Sequence, residues 1–156
     1  MTAQPILQLK RNAKGFTLIE LLVVIGILAV LLAITLIAIN PAKQFAQANN
    51  TKRRSDVSAI LNAINQSMAD NKGTVPTGIT TTTQVISNTG ANLCSALVPQ
   101  YIAALPVDPQ TANGTPITDC SGAYTTNYQV IQSASNSRIT VTAPAAELQE
   151  TISVTR

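Results

Sequence analysis

Residues 16–39, FTLIELLVVIGILAVLLAITLIAI, hold one charged side chain, Glu20, in 24 positions. As a helix rising 1.5 Å per residue the run spans about 36 Å, enough to cross a hydrocarbon layer of about 30 Å. The apolar part of a cleaved secretory peptide is shorter, about 7–15 residues. Ala46-Gln47-Ala48 offers a competing small-residue cleavage site, but it stands well beyond the end of the run. One membrane-crossing helix is therefore the first constraint, and a small domain of about 80 residues plus a helical stalk is what the rest of the chain can build.

The formal charge of +3 has a location. Ten basic side chains face seven acidic ones, and Lys10, Arg11 and Lys14 all precede Gly15. Without them the two signs balance, so the pI of about 9.1 belongs to the leader. The remaining cluster, Lys52-Arg53-Arg54, is too short to establish a phosphate-binding surface. It reads as a solvated or headgroup-facing stretch of helix. Basic residues flank both ends of the apolar run, so charge alone barely decides its orientation; the nearness of the leader and the export-like downstream domain together place the N-terminus in the cytoplasm and the bulk outside.

Aromatic residues make up 3% of the chain and Trp is absent, so the core is not built on large rings. The C-terminal half is rich in Ser, Thr, Asn and Gln, which suits an exported surface. Cys94 and Cys120 stand without any histidine. They read as one disulfide in an exported domain or as two buried free thiols, and not as a zinc site, which takes four ligands. Asp108 and Asp119 are too few for calcium, which takes six to eight oxygens, and read as solvated loop acids. No nucleophile elbow or phosphate loop is present, so no catalytic residue, metal ligand or cofactor is nominated and the chain is not read as an enzyme.

Pro41 follows Asn40 and predicts a kink or break there. Helix then resumes. Val57, Ile60, Leu61, Ile64 and Met68 fall on one face, with Asp56, Asn62, Asn65 and Gln66 largely elsewhere. That stripe needs a cover, and the downstream domain is the obvious one. Asn71-Lys72-Gly73 ends the helix, with Gly73 as C-cap and Pro76 beyond it. Residues 74–92 read as loop with a short strand near 84–87, and 93–104 as helical turns interrupted at Pro99. Residues 105–109 read as a rigid connector and 110–123 as loop. Strands are expected at 124–132, 138–142 and 151–155. The fold class is α+β: a long N-terminal helix, membrane-spanning in its first half and amphipathic in its second, packed on a small antiparallel sheet of about three strands. The organisation is a leader at 1–15, a membrane or core helix at 16–40, a stalk helix at 41–73 and a head at 74–156.

Glu20 needs a reason to sit in this segment, because a carboxylate in a lipid core costs about 2.5–3.5 kcal/mol even on a lenient scale. It lies one helical turn from Phe16. Hydrolysis after Gly15 gives Phe16 a free amine at a similar depth. The two charges can then pair within a chain or between neighbours, and an unpaired charge is heavily penalised in low dielectric. If the bond after Gly15 is cut, Glu20 would thereby be a register-setting group in a bundle of apolar helices.

The stretch Lys14-Gly15-Phe16-Thr17-Leu18-Ile19-Glu20-Leu21-Leu22-Val23-Val24-Ile25 resembles the class III signal of type IV pilins and of type II secretion pseudopilins. The resemblance is strong over about residues 10–40. It implies cleavage after Gly15 by a membrane-embedded prepilin peptidase, N-methylation of Phe16, and a role for Glu20 in neutralisation and register during assembly. It also implies helix breaks, for which Gly26 and Pro41 are the candidates. Residues 104–109, Ala-Leu-Pro-Val-Asp-Pro, are similar to a loop of major pseudopilins. The implied function is that of a structural subunit of a type IV pilus or pseudopilus. Its implied partners are copies of itself in a filament, the peptidase, an inner-membrane assembly platform with its ATPase machinery, and membrane lipid before assembly. Nucleic acid is left open. The implied location is a single-pass membrane protein that becomes an extracellular or periplasmic filament. The alternative is a single-pass anchored extracellular binding module that does not polymerise, with Glu20 a tolerated interfacial acid.

Overall fold

The computed structural model describes residues 15–156; the leader expected at 1–15, with Lys10, Arg11 and Lys14, lies outside the described residues apart from Gly15. The first helix, α1, runs Leu18–Ile39, 22 residues or about 33 Å. It is long and apolar enough to cross a membrane, and none of its side chains is buried. Asn40 ends it in the left-handed region (φ 47°, ψ 78°). Proline disfavours right-handed helix in the residue before it, and asparagine tolerates the left-handed alternative. Pro41 then opens α2, Pro41–Asp70, at the position where a missing N–H costs nothing. The break expected at Pro41 is thus present. The break expected at Gly26 is not, because α1 is continuous through it. Glycine weakens a helix by about 1 kcal/mol relative to alanine but does not by itself interrupt one.

Two compact units divide the chain at Pro41. The first holds α1. The second, from Ala42 to Arg156, is built on α2 and a four-stranded antiparallel sheet of β1 (Gln84–Ser87), β2 (Thr125–Gln132), β3 (Ile139–Ala143) and β4 (Ile152–Thr155), in the order β1-β2-β3-β4. The three strands anticipated at 124–132, 138–142 and 151–155 form the meander, and the short 84–87 strand joins it beside β2. Burial alternates along β2 and β3, so one face turns Thr126, Tyr128, Val130, Ile139, Val141 and Ala143 inward. The apolar stripe of α2 supplies the other half of this core: Val57, Ile60, Leu61 and Ile64 are buried and Met68 partly so. Each such side chain contributes about 1.5–3 kcal/mol on burial.

The end of α2 closes with a six-to-one bond from Gly73 N to Met68 O (2.7 Å). Both Lys72 (φ 57°) and Gly73 (φ 85°) are left-handed, so the turn takes two residues where one glycine cap was expected. A single helical turn, α3 (Cys94–Leu97), and the loop to β2 complete the fold. That loop is stapled by the Cys94–Cys120 disulfide (Cα–Cα 5.4 Å) and by a bridge between Leu105 and Ile117.

Candidate functional site

The start of α1 is built by Thr17 and Glu20. Thr17 is extended (φ −82°, ψ 154°) and caps the helix. Its hydroxyl oxygen accepts from the Glu20 backbone N–H (3.2 Å). The Glu20 carboxylate accepts in return from the Thr17 N–H and from the Thr17 hydroxyl, both at 2.8 Å. This is a capping box, in which two otherwise orphaned amide donors are satisfied reciprocally. The pattern Thr-x-x-Glu before an apolar run was its signal in the sequence. Glu20 therefore has partners within its own helix, besides any it gains from a Phe16 amine.

Gly15 and Phe16 precede the cap outside the helix, and Phe16 is 87% exposed. A Cβ built on Gly15 meets nothing within 4 Å, and its backbone is not left-handed. The fold of this chain has no need of glycine there. The same test leaves Gly26 open, on a face of α1 lined by Leu22, Val23, Ile27, Val30 and Leu31.

Residues 10–36 match the family model of the prokaryotic N-terminal methylation motif, the class III signal of type IV pilins and pseudopilins. The motif supports a type IV pilin-like precursor. No curated protein and no solved structure matches the chain. The apolar α1 fits a membrane anchor.

The second unit holds another polar constellation, which sequence reasoning misplaced in part. In the Lys52-Arg53-Arg54 cluster, Lys52 and Arg54 are exposed as a solvated run requires, but Arg53 is not. Arg53 is fully buried, and its Nε and Nη2 grip Asp108 at 2.7 and 3.1 Å. Its Nη1 reaches Glu147 at 2.8 Å and Asn50 at 3.0 Å. Lys52 pairs with Asp56 (3.0 Å) and Arg54 with Glu150, so each cation of the cluster meets a carboxylate of the same chain. Asp108 is likewise not a solvated loop acid: it is 0% exposed and also accepts from Gln110 N (3.0 Å). Asp119 is exposed and accepts from the hydroxyl and N–H of Ser121, which lower its pKa in that order. The helix period was the missed clue. Ala46, Asn50, Arg53, Val57, Ile60, Ile64 and Ser67 are all buried and recur at alternating spacings of four and three.

These contacts also set protonation. The bond to Asp108 and then that to Glu147 hold the Arg53 guanidinium charged against the penalty of burial. Arg53 and then Asn49 draw the Glu147 carboxyl below its ordinary value. Burial pushes the Tyr128 phenol upward, helped by its hydrogen bond to Asp56 Oδ2 at 2.8 Å. The constellation ties α2 to the 105–109 connector, to β2 and to the loop before β4. Its groups are consumed by one another, so its chemistry is structural.

Proposed function

We propose that this chain is a structural subunit of a type IV pilus or pseudopilus filament. Prepilin peptidase cuts it between Gly15 and Phe16 and methylates the new amine of Phe16. An inner-membrane platform and its ATPase draw α1 from the lipid into a filament core, where Glu20 meets the amine of a neighbouring copy. The filament stands in the periplasm or outside the cell, and the subunit itself catalyses nothing. The observation that carries this reading is a methylation motif that runs into an apolar helix whose first turn holds a lone acid in a capping box. Gly15 adds support: a glycine that the fold does not require fits recognition by another molecule at close range.

The capping box also favours a second reading. Glu20 is satisfied without any partner chain, as an anchored binding module that never polymerises would need.

Co-expression with a prepilin peptidase tests the first step. The expected product begins at Phe16, carries one added methyl group by intact mass, and forms more slowly from Gly15→Ala. A product that keeps its leader supports the anchored module instead.

A further inference from the structure

The sheet of the head has two edges, and they differ. On the β1 edge, Ala91 N donates to Val85 O (2.9 Å) and Ser87 N donates to Ala91 O (3.3 Å), so the 88–91 turn already covers it. On the β4 edge the backbone is free among the described residues. Arg156 and Ile139 exchange both backbone hydrogen bonds, at 3.0 and 2.8 Å. That exchange fixes the alternation: amides and carbonyls of Ile152, Val154 and Arg156 face β3, and those of Thr151, Ser153 and Thr155 face away. Thr151, Ser153 and Thr155 are exposed. The strand has no proline, lysine or bulge, the devices that ordinarily protect such an edge.

The geometry points to an antiparallel β4–β4 contact between two copies of this chain, centred on Ser153. A head-to-tail stack would have to join β4 to β1, and β1 is covered. The open edge can therefore add only another β4, which makes the contact two-fold and self-complementary. With Ser153 opposite Ser153, the outward groups of Thr151 meet those of Thr155 in the second copy. Glu150 then stands opposite Arg156 of the second copy. Both side chains lie at the surface in the single chain, bonded to Arg54 and Asn62. Moving the centre to Thr155 puts Arg156 opposite Val154 and removes the charge match. Exposed ion pairs contribute little to affinity, but they distinguish one register from the next.

The two-fold axis is perpendicular to the sheet, so the two four-stranded sheets become one and the two α2 helices run in opposite senses on the same face. Adjacent subunits of one filament point the same way. The contact therefore joins heads that face opposite directions, on separate filaments or separate anchors. It goes beyond the filament reading and does not rest on it. The paired edge is short, well below the roughly 1,200–2,000 Å² buried in stable complexes, so the contact is transient and best caught covalently.

Cysteine substitution in the full-length chain, in detergent micelles under mild oxidation, tests this. Cys94 and Cys120 are bonded to each other, which leaves the introduced thiol as the free one. Hydrogen-bonded antiparallel partners lie about 5.5 Å apart at Cα, within the roughly 4.4–6.8 Å that a disulfide spans. Ser153→Cys is expected to give several-fold more cross-linked dimer than Ser135→Cys in the exposed 133–137 turn. Thr151→Cys alone and Thr155→Cys alone place like positions about 14 Å apart and should stay monomeric, while a mixture of the two cross-links. Equal dimer from Ser153→Cys and Ser135→Cys overturns the contact. Cross-linking of Thr151→Cys alone as strong as in the mixture overturns the register and with it the proposal.

Discussion

Arg53 and Asp108, 55 positions apart in the chain, form a bidentate ion pair in the interior of the head, with both side chains fully buried. Desolvation offsets much of the attraction in such a pair, so its value is clearest when one partner is removed. The pair holds the connector at 105–109 against α2, and Glu147 closes the guanidinium from the other side.

Arg53→Ala leaves Asp108 buried without its cation. The expected loss is about 3–5 kcal/mol of head stability. Replacing the pair together, Arg53→Met with Asp108→Leu, should cost far less, because no orphaned charge remains. Thermal unfolding of the full chain in detergent, followed by circular dichroism, separates the two outcomes. Equal losses in the single and double variants would mean that packing, and not the charge, accounts for the effect.

Glu147 gives the head a pH dependence with a definite sign. Its carboxyl is lowered from 4.5, chiefly by Arg53, so folding favours the ionised form. The contribution is present in full above the unfolded value and is lost as pH falls through the lower folded value. Wild type should exceed Glu147→Gln in melting temperature at neutral pH, and the gap should shrink as pH falls below the unfolded carboxyl value of about 4.3. A gap that does not shrink with acidification would assign the difference to the side-chain contact with Asn49 instead of the charge.

What was legible in the sequence followed from periodicity. The apolar run, the stripe from Val57 to Met68 and the alternating strands each repeat a local pattern that burial enforces. The buried ion pair does not repeat. Its partners come from a helix and a distant loop, and three adjacent cations look alike until the phase of α2 shows that Arg53 alone shares the face of Val57 and Ile60. Gly26 failed as a break for a related reason: a glycine lowers helix propensity, while the turn at Asn40 is forced by the ring of Pro41.

The disulfide should make a measurable contribution. Cys94 is buried beside the core and Cys120 is partly exposed, and the bond closes a loop of separation 26 that includes Asp108. Reduction is expected to cost about 3 kcal/mol by releasing that loop in the unfolded chain. Denaturant titration with and without dithiothreitol measures the difference, and alkylation of the oxidised protein should label no thiol. Incorporation of label without reductant would contradict the bond.

Glu20 has two candidate roles that a single pair of substitutions separates. As a capping residue it needs only an oxygen acceptor, and glutamine serves the capping box as well as glutamate. As the counter-charge of a Phe16 amine it needs its ionised carboxylate. Glu20→Gln should therefore keep the helix start, enter the membrane and be processed normally, yet assemble as poorly as Glu20→Ala. Thr17→Ala weakens the cap by about 1 kcal/mol but retains the charge, and should assemble better than either. Filament yield from sheared cells, set against processed protein in the membrane fraction, gives the comparison. Wild-type yield from Glu20→Gln would reduce Glu20 to a cap and leave the register of the helices to packing alone.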